Sequence, residues 1–335
     1  MAEAEHSRLF DKVLGCLYAA EIGDAMGAPA ENKTYLEIIS QFGEITDFSG
    51  FGTDDSALKH ILCDAIERAN GFPSADAWAE EWLQQADLFI RGRLFWVPVM
   101  NSFWKMHGED VSPREAGYGT MASSSSAMCI SPMGMINAGN PRQAALETYE
   151  VASLIHHNYC RDAACSMAAA VAEAFKPDAT VGSILLAALE YLPVRSARVM
   201  RGFIQSTLDL AREASTYRSF RERYYTERLL PGIAIADSRE TIPVALALFY
   251  LAGGDPRQTI QFCANFGRDA DTIASMAGAI AGALHGASAI PRAWIDKIEA
   301  NSKRDHTELA TLIVNTIIQR TDQMAQVITA IKTIQ

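Results

Sequence analysis

The sequence predicts an all-α protein, one compact multi-helix domain over residues 1–335 with its core at about 8–333. Three observations carry that expectation. Apolar residues recur at i, i+3, i+4 spacing along most of the chain, which gives a helix one buried face. Alternating apolar and polar runs, the mark of a half-buried strand, are scarce. No stretch has linker composition, and 49% hydrophobic residues are enough for a sizeable core.

Taken in order, the first helix follows Ser7, with Phe10, Val13, Leu14, Leu17 and Tyr18 on one face. The next follows Thr53-Asp54-Asp55-Ser56, with Leu58, Ile61, Leu62, Ala65 and Ile66 aligned. Residues 91–139 are rich in Gly, Pro, Ser and aromatics and read as a long irregular segment, a length that usually serves function. Asn140-Pro141-Arg142-Gln143 and Asp255-Pro256-Arg257-Gln258 each offer a capping side chain, then proline at the first helical position. They introduce helices at 144–157 and 257–266. Others read at 162–175, 181–191, 196–214, 240–251, 272–285, 291–300 and 307–333.

Two of these helices carry small residues every fourth position. One has Gly15, Ala19, Gly23 and Gly27; the other has Ala274, Gly278, Gly282 and Gly286. Glycine costs about 1 kcal/mol against alanine inside a helix. Its repetition on one face predicts a close backbone approach, most simply of one ladder to the other. The plainer alternative is an alanine-rich core with casual glycines.

Net charge is −11, a poor basis for binding a phosphate backbone, and no nucleic-acid partner is expected. The six cysteines form no CxxC pair and sit in apolar stretches, so they read as buried free thiols of a reducing compartment. The polar start MAEAEHSRLFDK lacks a signal-peptide core, and Gly, His or charge interrupts every apolar run short of membrane-spanning length. A cytoplasmic protein without a membrane partner is the expectation; nothing in the sequence sets an oligomeric state.

Three acidic clusters stand out: Gly23-Asp24…Glu31, Thr53-Asp54-Asp55-Ser56 and Asp269-Ala270-Asp271-Thr272. The last two precede apolar helices. Helix capping explains one acid in each. It does not explain the second, because adjacent buried carboxylates repel and lose hydration. A hard divalent cation resolves the conflict, since Mg²⁺ and Mn²⁺ take carboxylate, hydroxyl and water oxygens. Two such turns can together supply a two-metal site.

These residues resemble a family. The stretch from Gly15 through Gly23-Asp24-Ala25-Met26-Gly27-Ala28-Pro29-Ala30-Glu31 is similar to the N-terminal helix of the ADP-ribosylglycohydrolases. Thr53-Asp54-Asp55 resembles their first metal motif. Gly267-Arg268-Asp269-Ala270-Asp271-Thr272, followed by Gly278, Gly282, Gly286 and Ile290-Pro291, resembles the second. Order and spacing agree from about residue 10 to 295.

The resemblance implies an all-α fold with a cleft holding two Mg²⁺ or Mn²⁺ ions and hydrolysis of a glycosidic bond at C1 of an ADP-ribosyl group. It implies metal ligation by Thr53, Asp54, Asp55, Asp269, Asp271 and Thr272, with Glu31 on a loop closing over ribose. Asp55 and Glu31 are the candidates for acting on water. A non-catalytic ADP-ribose or nucleotide binder of the same fold is the rival, with a damaged ligand set as its signature; all six are present.

Departures from the family pattern bear on substrate. Where the family has a Gly-Asn-Gly-type diphosphate loop and Ala-Met-Arg, this chain has Ser123-Ser124-Ser125-Ser126-Ala127-Met128-Cys129. The serines either bind phosphate or form a flexible turn. An N-riboside smaller than an ADP-ribosyl adduct needs no such loop and stands as the second substrate class. Arg268 replaces a commoner glycine; it binds a phosphate or carboxylate, or pairs with a neighbouring acid. His156 falls where the family often reads Leu-Thr-His and either faces the cleft or is bonded at a helix end. His60 and His285 read as structural. Trp96, Phe103 and Trp104 are candidates to stack on a base or to anchor the loop.

Overall fold

The computed structural model describes residues 7–92 and 94–334. Among them the chain is all-α, with eighteen helices and one two-stranded sheet. The helices are α1 (Arg8–Gly27), α2 (Tyr35–Phe42), α3 (Asp54–Arg68), α4 (Ala75–Gln84), α5 (Ala86–Ile90) and α6 (Val97–Glu109). They continue with α7 (Pro113–Ala116), α8 (Ser131–Ile136), α9 (Pro141–Val151), α10 (Tyr159–Ala174), α11 (Val181–Glu190) and α12 (Arg198–Ala214). The last are α13 (Tyr217–Glu227), α14 (Ser238–Leu251), α15 (Pro256–Ala264), α16 (Ala270–His285), α17 (Arg292–Asn301) and α18 (His306–Thr333).

The fold is built around α1 against α16, the most extensive helix pair in the molecule. Both helices are buried over nearly their whole length. Their glycines make the approach possible. A Cβ on Gly23 would lie 2.3 Å from the carbonyl oxygen of Ala274, and one on Gly278 would lie 2.4 Å from that of Ala19. Gly15 and Gly282 stand against each other in the same way, and Gly27 lies over the Asp271 backbone. The ladders therefore interlock, as their spacing predicts.

Several helices depart from the sequence reading. The 91–139 segment holds α6, α7 and α8. Its prolines sit in the first turns of these helices (Pro98, Pro113 and Pro132), where a missing N–H costs nothing. The composition that suggested irregularity thus marks helix starts. Helix α13 lacks the apolar periodicity of the other helices because it is polar. Its stability comes from the Thr216 cap, the buried pair Phe220 and Tyr224, and Arg218–Glu222 and Arg223–Glu227 one turn apart. Helix α4 buries Trp78 and Trp82 in the same i, i+4 manner. The helix read at 144–157 ends at Val151 in a 3₁₀ turn, Ala152–Leu154.

Asn140 and Asp255 cap α9 and α15 as expected, accepting from the N–H of Gln143 and Gln258. All six cysteines are buried and free. No helix among the described residues is long and apolar enough to cross a membrane. From residue 321 onwards α18 is exposed.

The small sheet matters for position. Strands β1 (Lys33–Thr34) and β2 (Gly267–Arg268) pair antiparallel, Lys33 opposite Arg268. Gly267 has φ +84°, and a side chain there would strike the Lys33 carbonyl at 2.4 Å. Asn32 N–H donates to Arg268 O at 2.9 Å. This ties the loop bearing Glu31 to the turn bearing Asp269.

Candidate functional site

The last turn of α1 and the first turn of α16 meet because the glycine ladder holds their backbones together. Asp24, one turn before the end of α1, is fully buried there. Its carboxylate accepts from Thr53 N at 2.8 Å, Thr53 Oγ1 at 2.8 Å, Ser56 N at 3.1 Å and Ser56 Oγ at 2.6 Å. Asp24 thus caps α3 from another helix. Gly52 leaves room for it, since a Cβ there would lie 2.5 Å from Asp24 Oδ2.

Capping from α1 frees the helix's own residues. Thr53 occupies the N-cap position of α3 and Asp269 that of α16, yet neither side chain caps its helix. Asp55 Oδ2 accepts from Thr272 Oγ1 at 3.3 Å, and Asp269 Oδ2 accepts from Ser124 Oγ at 3.1 Å. Asp55 Oδ1 and Asp271 Oδ1 are buried without a hydrogen-bond partner. Orphaned buried carboxylate oxygens are costly.

Two groups of three carboxylates form. Ligand oxygens of Asp24, Asp55 and Asp271 lie within 4.8 Å of one another, as do those of Glu31, Asp269 and Asp271. Asp271 belongs to both. Burial first, then neighbouring charge, drives the acids towards protonation. Asp54 is pushed up to about 7, with Asp24 the main repelling neighbour, and Asp269 to about 7, with Glu31 the main one. Asp55 and Asp271 are raised well above the usual carboxylate range. Lys59 lies beside Asp24, opposes the rise there, and donates to Ser275 Oγ at 3.0 Å.

The acids form the floor of a cleft of about 440 Å³. Thr53, Asp54, Asp55, Asp269, Asp271, Thr272 and Glu31 all line it, together with Leu94, Phe95, Trp96, Ser124, Ser125 and Met128. Ser123, Ser126, His156 and Arg268 do not. The serine turn is hydrogen-bonded to its surroundings. Ser124 N donates to Ala236 O at 2.6 Å, Ser125 N to Ser123 Oγ at 3.2 Å, and Ser238 Oγ to Ser123 O at 2.7 Å. His156 is fully buried behind this turn, with Nδ1 2.8 Å from Ser126 Oγ and Nε2 3.2 Å from Met121 O. Burial pushes its pKa down to about 4, so the ring is neutral.

Arg268 takes the pairing alternative. Its Nε and Nη2 hold the two oxygens of fully buried Glu240 at 2.6 and 3.2 Å. Of the aromatic candidates, Trp96 lines the cleft. Phe103 is a core residue stacked on Phe89, and Trp104 lies outside the cleft lining.

Sequence reasoning gave Asp24 no role and missed Lys59 and Leu94-Phe95. For Asp24 a signal existed: it follows Gly23, the ladder position that contacts Ala274, one turn past Asp271.

Comparison with known proteins agrees with this architecture. The sequence pattern described as ADP-ribosylglycohydrolase matches residues 5–325. The chain is 28% identical to the uncharacterized protein YegU of Escherichia coli, over 92% of this chain and 98% of the relative. It is 25% identical to the ADP-ribosyl-(dinitrogen reductase) glycohydrolase of Rhodospirillum rubrum, over 88% and 92%. A solved structure titled ADP-ribosylglycohydrolase-related protein complex superposes with a TM-score of 0.68 at 20% identity, over 92% of this chain and 99% of that one. The last likeness concerns the fold alone.

Proposed function

The chain belongs to the ADP-ribosylglycohydrolase family and is an enzyme that cleaves glycosidic bonds; from that premise we propose that it is a metal-dependent hydrolase of an N-glycosidic bond at C1 of a ribosyl group. The observation that carries the metal requirement is the pair of orphaned oxygens, Asp55 Oδ1 and Asp271 Oδ1, inside mutually repelling carboxylates. A hard-cation site fits this oxygen-only donor set.

Thr53, Asp54, Asp55, Asp269, Asp271 and Thr272 would hold two Mg²⁺ or Mn²⁺ ions. Bound there, the ions supply positive charge that orients ribose hydroxyls and Lewis acidity that assists water. The chain's own residues do the rest. Trp96 and Phe95 wall the cleft beside the acids and give the sugar an apolar surface to lie against. As the leaving group departs, positive charge grows at C1, and Glu31, the cleft-lining carboxylate outside the proposed ligand set, is the one free to stabilise it. Between the two candidate bases, Asp55 is buried in the floor, whereas Glu31 is half-buried, with Oε1 fixed by Asn32 Nδ2 at 3.1 Å. Glu31 is the carboxylate with access to an attacking water.

An ADP-ribosyl adduct is the substrate class that family membership supports. A smaller N-riboside is the second reading, supported by one observation. The N–H groups of Ser124 and Ser125 are already bonded within the protein, so they do not offer a backbone cradle for a diphosphate. Incubation with Mg²⁺ or Mn²⁺ against nucleosides and ADP-ribosylated peptides, reading release of ribose or ADP-ribose, tests both. Turnover of neither panel at verified metal occupancy refutes the hydrolase reading of this cleft.

A further inference from the structure

Glu21, His60 and His306 meet behind the acidic cleft. Glu21 is one turn before Asp24 on α1, His60 is on α3, and His306 opens α18. Glu21 Oε2 lies 2.9 Å from His306 Nε2 and 3.4 Å from His60 Nε2. The side chains of Glu21 and His306 are 3% and 1% exposed, and that of His60 is 11% exposed. Tyr18 stacks on His306 with centroids 4.7 Å apart, while its hydroxyl donates to Glu299, so the imidazole plane is held.

The contact is close but poorly aligned, although the two imidazoles still hold the Glu21 carboxyl below the usual carboxylate range. Glu21 Oε2 and His306 Nε2 are both buried without a hydrogen-bond partner, though only 2.9 Å apart. A carboxylate between two imidazoles ordinarily draws their N–H groups onto itself. Contact without alignment is what ligands around a central ion present, because each lone pair points at the ion and not at its neighbour. Tetrahedral zinc with bonds of about 2.0–2.1 Å places its ligands about 3.3 Å apart; the 3.4 Å separation matches this, the 2.9 Å one opens on binding, and all three ligand atoms lie within 4.8 Å of one another. Two imidazoles and one carboxylate suit Zn²⁺ and not Mg²⁺.

We infer that Glu21, His60 and His306 form a zinc site separate from the acidic cleft, with water as fourth ligand at the His60 edge. The ion staples α18 to α1 and α3, the two helices that carry Asp24 and Asp55. This inference does not rest on the hydrolase reading.

The test uses the full-length protein, stripped with a chelator and titrated with Zn²⁺ in excess Mg²⁺, so that the hard-cation cleft is occupied. Metal analysis reads stoichiometry, X-ray absorption reads the ligands, and thermal melting reads stability. The expected result is one zinc per chain with two imidazoles in its shell and a higher melting temperature. His60→Ala and His306→Ala are expected to weaken zinc binding roughly 100-fold or more, while Asp271→Asn leaves it unchanged. Where a histidine variant does not fold, the absorption spectrum of the parent protein decides alone. No bound zinc, an oxygen-only shell, or undiminished binding in both folded histidine variants overturns the inference.

Discussion

Asp271 is the carboxylate shared by both acidic groups, and one of its oxygens has no partner. Asp271→Asn keeps the shape and removes the charge. Metal analysis is expected to show at least one ion lost, and turnover should fall by more than roughly 100-fold, since even outer-shell changes cost about 10–100-fold. The metal-free variant should melt no lower than the parent, because Asp271 is among the charges that repel Asp55. Unchanged metal content would contradict the ligand assignment. Arg268 makes a different argument. It stands at φ +63° and neutralises Glu240, which is fully buried. Arg268→Gly relieves about 1 kcal/mol of backbone strain but leaves a buried carboxylate alone, at about 3–5 kcal/mol. The second effect wins, and urea unfolding should show a net loss of about 2–4 kcal/mol. Adding Glu240→Gln should restore much of it. A rise in KM at unchanged stability would instead assign Arg268 to substrate.

At the scale of elements, the interlock of α1 and α16 sets the distance between Asp24 and Asp271. Gly23→Ala would place a methyl 2.3 Å from the Ala274 carbonyl oxygen, and both partners are backbone. The helices must separate, a change expected to cost about 1–3 kcal/mol and to weaken metal binding by moving Asp24 from Asp271. Gly202 in α12 is the control, with nothing within 4 Å of its added Cβ. Gly202→Ala should raise stability by about 0.5–1 kcal/mol. Denaturant midpoints of the two variants should move in opposite directions; parallel shifts would show that helix propensity alone governs both. The ladder was legible in the sequence because four-residue repetition is a local pattern. So were the two acidic turns, each next to the helix it opens. Asp24's cap of α3 was not legible, because it joins residues 29 and 32 positions apart through tertiary packing. The helices α6 and α13 escaped for another reason. Their stabilising features, a proline at the start of one and Arg–Glu pairs along the other, resemble loop composition.

For the whole molecule, the buried acids couple folding, metal and pH. Asp54 and Asp269 sit at about 7 in the metal-free protein, against 3.8 for an ordinary aspartate. Between those limits the folded state holds protons that the unfolded chain has released. Stability then decreases as pH rises through that window, because the native state binds more protons than the unfolded one. Carboxylates held low by partners, such as Asp47 beside Lys297, work in the opposite direction. The absolute melting curve therefore mixes both signs, and the informative quantity is the difference between melts with and without Mg²⁺. Groups remote from the cleft cancel in that difference. A divalent ion needs the ionised acids and displaces their protons. The Mg²⁺-induced rise in melting temperature should thus be small near pH 5 and grow as pH rises towards and through 7, where Asp54 and Asp269 ionise. Mg²⁺ affinity should weaken roughly tenfold per pH unit below 7 for each proton displaced. Calorimetric titration in buffers of different ionisation enthalpy would count those protons directly. A Mg²⁺ effect independent of pH across this window would show that the ion binds away from Asp54 and Asp269. In Asp271→Asn the same curve should flatten, since the variant loses both a ligand and part of the repulsion that holds its neighbours protonated.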